Sequence, residues 1–138
     1  MAADPVFGEI IHSYSRREAI EDGVLVDLMQ GEDEKMARSL GFRFDIAMTS
    51  AAYEAAVVPS SGDLPPGQDR KGRLWDVLWM LKLAIRKSSG DCRIVRFALQ
   101  VVSFKDGRAT NELLDLKALS GPGDRGEPII TIMLPDED

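Results

Sequence analysis

Residues 69–88 are the stretch that most restricts how this chain can fold. Leucine and isoleucine recur there at helical spacing, at Leu74, Leu78, Leu81 and Ile85, and Gly90 follows as a stop signal. Further apolar side chains widen the stripe almost all round: Trp75, Val77, Trp79, Met80 and Ala84. A stripe of this width is typical of a helix that packs on more than one side. We therefore predict a core helix from about Asp69 to Ser88 that lies across a sheet.

The sequence after this helix predicts most of the sheet. Ile94–Phe104 alternates between apolar and other side chains, which is typical of a strand with one buried face. Asp106 and Gly107 then supply the dipeptide that is favoured in tight hairpin turns. A return strand is expected from about Ala109 to Leu119, and a final apolar strand from Ile129 to Leu134. These three strands predict an antiparallel meander.

Shorter elements are predicted before the long helix. Ser15 and Glu18 have the spacing of a capping box, which predicts a helix that ends near Asp22. A second short helix is expected to begin at the acidic residues near Glu32, because negative charge suits a helix N-terminus. An alternating run predicts a half-buried strand whose apolar face holds Phe42, Phe44, Ile46 and Met48. The remaining segments are an extended stretch, Val24–Leu28, and a small helix from Thr49 or Ser50 to Val57.

The expected fold class is α+β, with one domain over residues 1–138. A mostly antiparallel sheet of about four strands packs against one long helix and several short helices. The segment 59–68 is rich in proline and glycine, which predicts an exposed loop. No apolar run is long enough to span a membrane, and the first ten residues lack a signal-peptide pattern. We therefore expect a soluble cytoplasmic protein.

The net charge of −6 is unevenly distributed along the chain. Residues 59–108 carry ten Lys and Arg against five Asp and Glu, a net +5, whereas residues 1–58 carry −6 and residues 109–138 carry −5. Overall acidity argues against direct, non-specific nucleic-acid binding, which needs many phosphate contacts. It suits a basic protein partner instead. The tail residues Asp136, Glu137 and Asp138 are either a solvated end or a contact arm for such a partner.

Gly121–Gly126 satisfies the glycine spacing of a dinucleotide-binding turn. Such a turn requires a helix after the glycines, because the helix N-terminus holds the pyrophosphate. Here Pro128 and a run of apolar residues predict another strand instead. The stretch is therefore interpreted as a loop between antiparallel strands. Its charged residues, Asp124, Arg125 and Glu127, are candidates for contact with a partner.

Few residues suggest catalysis. His12 is the single histidine and lies beside Ser13 and Tyr14, so it could act as a general base or hold a substrate. The favoured alternative is a polar residue at a strand-to-helix junction. Cys92, the single cysteine, is expected to be an ordinary small apolar residue. The sequence predicts no metal site and no bound cofactor.

Exposed surfaces are a further possibility along the long helix. Trp75 and Trp79 are four residues apart, which places them on one face, where they are either buried aromatics or an interaction surface. The same helix is bracketed by basic side chains: Arg70, Lys71, Arg73, Lys82, Arg86 and Lys87. They form either a solvated stripe or a strip that binds acidic groups or phosphate.

Three stretches together resemble a family of small uncharacterised bacterial proteins encoded on plasmids, phages and other mobile elements. They are Ile11–Asp27, Gly72–Met80 and Gly121–Asp138, so the resemblance covers nearly the whole chain. It implies a mobile-element accessory protein but no particular activity. Genes in such neighbourhoods often counter host defences, so the resemblance raises an inhibitor of CRISPR or restriction systems.

A narrower likeness concerns the stretch from His12 to Leu25, which is similar to the first motif of ADP-ribosyltransferases. In those enzymes a histidine and nearby hydroxyls hold a nicotinamide cofactor, but the later motifs are not evident here. The leading hypothesis is therefore a non-enzymatic inhibitor that binds a defence complex through protein–protein contacts. The alternatives are a small enzyme with a pocket at His12, Ser13 and Tyr14, and a homo-oligomeric structural or regulatory module, including a homodimer.

Overall fold

A computed structural model describes residues 15–58, 64, 67–88, 93–105 and 107–137. Nine elements follow one another within these ranges. The first five are α1 (Arg16–Glu21), β1 (Leu25–Asp27), α2 (Gly31–Ser39), β2 (Asp45–Thr49) and α3 (Ser50–Ala56). The last four are α4 (Arg70–Lys87), β3 (Ile94–Lys105), β4 (Arg108–Pro122) and β5 (Pro128–Met133). The predicted loop at 59–68 lies mostly outside the described residues.

The short helices begin where the sequence predicts. At α1, the Glu18 backbone N–H donates to the Ser15 hydroxyl at 3.0 Å, and the Ser15 N–H donates to the Glu18 carboxylate at 3.1 Å. Both halves of the capping box are therefore present. At α3, the Thr49 hydroxyl caps the helix by accepting from the Ala52 N–H at 3.2 Å.

Helix α4 is the core helix that the apolar stripe predicts. The Asp69 carboxylate caps it by accepting from the Gly72 N–H at 2.7 Å. Leu74, Leu78 and Leu81 are fully buried. The stripe is narrower than predicted, however, because Ile85 is 38% exposed near the C-terminal end of the helix. The last turns of α4 therefore extend beyond the core and leave apolar surface accessible.

The sheet has five strands in the order β1-β2-β5-β4-β3. Strands β3, β4 and β5 form the predicted antiparallel meander, with Lys105 opposite Arg108 at its first turn. Strand β1 adds an antiparallel edge to β2. Strands β2 and β5 run parallel, with Ile46 opposite Ile130. The α+β class is confirmed, with one strand more than expected and one parallel pair.

The prediction of a half-buried strand around Phe42–Met48 is wrong in part. Strand β2 begins only at Asp45, and Phe44 precedes it with 42% of its surface exposed. Ile46, Ala47 and Met48 are all fully buried, so both faces of the strand are covered. Alternation fails here because side chains on both faces of β2 are packed away from water, Ile46 and Met48 on one face and Ala47 on the other.

Arg73 is a buried cation that ties three elements together. Its side chain is 7% exposed, and the Nε–H donates to the Ala56 carbonyl of α3 at 3.1 Å. A second donor reaches the Val102 carbonyl of β3 at 3.2 Å. Burial lowers the pKa of the guanidinium, and the nearby Asp76 carboxylate opposes that shift. The two carbonyls are satisfied by this side chain, which fixes α4 against its neighbours.

Replacing this arginine tests that role. We expect Arg73→Met, which keeps the aliphatic stem, to lower the free energy of unfolding by about 2–3 kcal/mol, because two carbonyls lose their donor. Lys71→Met on the exposed side of the same helix is the control, with a change within about 0.5 kcal/mol. Urea unfolding followed by circular dichroism measures both. Equal stability of the two variants would contradict the role of Arg73.

Candidate functional site

An open apolar groove lies between the C-terminal half of α4 and the segment that joins α2 to β2. It encloses about 430 Å³. Buried apolar side chains line its inner part, namely Leu40, Phe42 and Ile130, and two exposed apolar side chains flank it, Phe44 and Ile85. Its remaining side chains are the cations Arg43, Lys82 and Arg86. We call this surface the cationic groove.

Local structure explains how the groove forms at its α2 side. Helix α2 ends in a Schellman motif, in which the Gly41 N–H donates to the Arg38 carbonyl at 3.0 Å and the Phe42 N–H donates to the Ala37 carbonyl at 3.1 Å. Gly41 has φ +98°, which strongly favours glycine. The turn directs Phe42 into the core and leaves the next two residues, Arg43 and Phe44, on the surface.

None of the described residues that line the groove is Asp or Glu, so its cations have no acidic neighbour among them. Among the described residues, Arg43 and Arg86 make neither an ion pair nor a side-chain hydrogen bond. Arg70 differs, because its guanidinium donates to both oxygens of Asp33, at 2.8 and 3.0 Å. Unpaired cations beside exposed apolar surface can bind an anionic group that carries an apolar neighbour.

An aromatic stripe continues the groove along α4. The Trp75 and Trp79 rings stack, with centroids 5.2 Å apart and an interplanar angle of 11°. The Lys82 ammonium lies 5.5 Å from the centroid of Trp79, within cation–π distance. Trp75 is 40% exposed, so the interpretation of both rings as buried aromatics is wrong for Trp75. The stripe adds stacked, accessible ring surface next to the groove.

The glycine-rich stretch is a hairpin loop, as predicted. Pro122 pairs with Pro128 across antiparallel strands, and β5 follows where a dinucleotide site requires a helix. A Cβ at Gly123 would lie 2.6 Å from the Glu127 carboxyl carbon, and Gly126 has φ +80°. The positive φ explains the glycine at Gly126, where the loop turns back toward β5.

Asp124, a predicted contact residue, binds within the chain. Its carboxylate accepts from the backbone N–H groups of Arg16 and Arg17, at 2.8 and 3.1 Å. These two hydrogen bonds hold the pKa of Asp124 below its usual value. The Arg16 guanidinium in turn donates to the Thr131 hydroxyl at 2.8 Å and to the Ile130 carbonyl at 3.1 Å. Together these contacts fasten the start of α1 to the β4–β5 hairpin.

Two other predicted contact residues also have internal partners. The Glu127 carboxylate accepts from the Arg125 N–H at 2.8 Å. The Glu137 carboxylate accepts from the Thr49 hydroxyl at 2.7 Å and from the Leu134 N–H at 2.8 Å. The side chains of Arg125 and Asp136 are exposed, and Asp138 lies outside the described residues. Partner binding by this set stays a prediction.

The residues of the enzymatic alternative, His12, Ser13 and Tyr14, also lie outside the described residues, as does Cys92. Within the described ranges, no three or more His, Cys, Asp or Glu side chains are grouped as a metal site would need. None of the helices described combines the length and apolar character needed to cross a membrane.

Sequence reasoning missed the cationic groove. The alternating pattern places Phe44 on the buried face of a strand, whereas the structure leaves it 42% exposed. The available signal was Gly41 after an amphipathic helix, because a Schellman turn reverses the chain and can expose the residues that follow. The meeting of those residues with Lys82 and Arg86 depends on a contact between α2 and α4 that local patterns do not contain.

The chain belongs to the family of unknown function DUF6573, whose sequence profile matches residues 5–138. No curated protein matches it significantly, and no solved structure does so either.

Removing the Asp124 carboxylate tests its part in holding α1. We expect Asp124→Ala to lower the thermal midpoint at neutral pH, because two N–H groups of α1 lose their acceptor. The folded pKa is depressed, so this stabilisation is present above the ordinary value of 3.8 and is lost as the pH falls through the folded pKa. The difference from wild type should therefore shrink in acid, as measured by calorimetry across pH.

Asp136→Ala is the matched control for that experiment, since Asp136 is exposed and has no hydrogen bond or ion pair among the described residues. It should leave the midpoint unchanged at every pH. A difference for Asp124→Ala that does not vary with pH would contradict the involvement of its charge.

Proposed function

We propose that this member of the family is a non-enzymatic binding protein that acts through protein–protein contacts. Its cationic groove receives an acidic segment of the partner, with an apolar side chain of that segment against Phe44 and Ile85. The observation that carries the proposal is the combination of exposed apolar surface with the unpaired cations Arg43 and Arg86.

The two kinds of contact have different tasks. Covering the exposed part of Phe44 contributes about 1 kcal/mol, since full burial of such a side chain is worth about 1.5–3 kcal/mol. The cations attract an acidic segment and orient it, which affects the rate of association and the specificity more than the final affinity. Binding should therefore weaken as salt rises, because exposed charges are screened.

The resemblance to mobile-element proteins supports a further part of the proposal: the partner belongs to a host defence complex, of the CRISPR or restriction type. The net charge of −6 disfavours direct contact with nucleic acid and suits a partner whose surface is basic where it holds nucleic acid. Exposed acidic groups such as Glu32 and Asp136 would face that basic surface. Surfaces of opposite sign on one small protein would set its orientation on the partner.

Charge reversal in the groove tests the proposal. We expect the double variant Arg43→Glu, Arg86→Glu to lose the protein that wild type captures from a host lysate, or to weaken its affinity by about tenfold or more. Affinity capture with mass spectrometry identifies the partner, and titration at two salt concentrations measures the affinity. The double variant should keep its thermal midpoint, since neither arginine has a partner among the described residues.

Lys71→Glu is the control for charge, because Lys71 is an exposed cation of α4 that does not line the groove. It should capture the same protein as wild type. If the double variant and Lys71→Glu behave alike, the groove is not the binding surface. A captured complex that contains a nuclease or a nucleic-acid-binding subunit supports the defence partner, whereas a metabolic enzyme contradicts that part.

The apolar contact has a separate test. We expect Phe44→Ser to weaken binding of the captured partner by about fivefold, which corresponds to about 1 kcal/mol of lost apolar burial. The effect should persist at high salt, where the contribution of the arginines is screened. Leu113→Ser on β4, where the side chain is 63% exposed, is the control and should bind normally. Titration calorimetry measures both variants.

A further inference from the structure

Strand β3 is a long edge strand. It pairs with β4 over its full length, from Ile94 opposite Leu119 to Lys105 opposite Arg108. Its other edge has no strand neighbour within the described part of the chain. An edge of this length normally carries protection against pairing with another chain, because its backbone N–H and C=O groups are free on one side.

The register shows which backbone groups point outward. Lys105 and Arg108 flank a two-residue turn, so they form a hydrogen-bonded pair, and such pairs recur at every second residue of β3. Two contacts confirm this alternation: Ser120 N–H donates to the Arg93 carbonyl at 2.9 Å, and Arg73 donates to the Val102 carbonyl at 3.2 Å from the opposite side. The N–H and C=O groups of Arg96, Ala98 and Gln100 therefore face the free edge.

A second groove runs beside this edge. It encloses about 400 Å³ between β3 and the C-terminal half of α4. Apolar side chains of α4, Met80, Leu83 and Ala84, form one wall, and residues Ile94–Ala98 of β3 form the other. These three α4 side chains are half-buried, and Ile94 is 49% exposed. We call this surface the edge groove. It is distinct from the cationic groove, because the described lining residues of the two grooves do not overlap.

We propose that β3 and the edge groove bind an extended segment of a partner protein as an added sixth strand. The outward groups of Arg96, Ala98 and Gln100 would hydrogen-bond to its backbone. Alternate side chains of the segment would point toward α4 and cover Met80 and Leu83. This mode needs apolar residues at every second position of the partner segment.

Charge favours acidic residues at the intervening positions. Lys87 and Arg96 line the edge groove, and none of its lining residues within the described part of the chain is Asp or Glu. An acidic segment would therefore meet complementary charge. A second copy of this chain fits less well, since antiparallel pairing of two β3 strands would bring both copies of Lys87 and Arg96 to one seam.

The structure also limits the length of the added strand. Arg73 already occupies the Val102 carbonyl, so the edge is blocked at that residue. The accessible stretch is Ile94–Gln100, which matches a segment of about seven residues at the usual rise per residue of a strand. This end point distinguishes a defined docking edge from an unprotected edge that pairs without register.

The test uses a fluorescein-labelled peptide of four Val-Glu repeats and a peptide of the same composition without alternation. Fluorescence anisotropy should show binding of the alternating peptide to the full-length protein and at least about tenfold weaker binding of the other. Two further peptides carry backbone N-methyl groups, one at its valines and the other at its glutamates. Because alternate N–H groups of a strand point to the same edge, one of these peptides should lose binding and the other should keep it. A structural side effect on the protein cannot produce that difference, because the protein is unchanged.

Ala98→Pro provides the protein-side test. It removes an outward N–H that β4 does not use, so the β3–β4 ladder is retained. We expect peptide binding to be lost while the thermal midpoint stays close to that of wild type. Leu83→Glu, which places an acid in the groove, should weaken binding even if Ala98→Pro fails to fold. The double variant Arg43→Glu, Arg86→Glu should bind the peptide normally, which separates this proposal from that for the cationic groove.

Three results would overturn the proposal. The first is no binding of the alternating peptide by wild type, and the second is equal loss with both N-methylated peptides. The third is a dimer in sedimentation that Ala98→Pro dissociates, because the edge would then pair with a second copy of the chain.

Discussion

The parallel pairing of β2 with β5 is the contact on which the rest of the structure depends. It joins residues 45–48 to residues 129–132, so the chain must return across α3, α4, β3 and β4 before the pair can close. Without it, β1-β2 and β5-β4-β3 would be two separate sheets. With it, Ile46, Met48 and Ile132 become fully buried in one core. The entropy of closing this long loop must be offset by that burial.

Charged side chains secure this closure by bonding to backbone groups. Arg16 and Asp124 are 108 residues apart, yet the carboxylate holds the start of α1 while the guanidinium reaches the β5 strand. Arg73 does the same between α3 and β3. Such contacts satisfy carbonyls and N–H groups that strand pairing and helices leave free. These charged side chains therefore stabilise the fold.

The remaining charges are arranged very differently. Two grooves on either side of α4 are lined by the cations Arg43, Arg86, Lys87 and Arg96, and no acid is found among their described lining residues. The net charge of −6 does not reveal this basic surface of α4 and its neighbours, because acidic residues outnumber basic ones in the chain as a whole. A basic surface between two accessible apolar grooves suits a protein that binds its partner by surface contact. The proposals for both grooves rest on this local distribution of charge and apolar surface, whereas the overall acidity supports only the proposed basic surface of the partner.

Local hydrogen bonding and periodicity determined much of this protein from the sequence by itself. Ser15 and Glu18 specify the start of α1, the Asp106-Gly107 turn predicts the β3–β4 hairpin, and the leucine spacing predicts α4, because each signal acts between residues close along the chain. Tertiary structure alone decided that both faces of β2 are covered, that Phe44 lies on the surface, and that Asp124 accepts from the backbone of α1. The cationic groove likewise exists only because α2 and α4 meet. Those outcomes depend on pairing between distant segments, for which a single sequence carries no periodic signal.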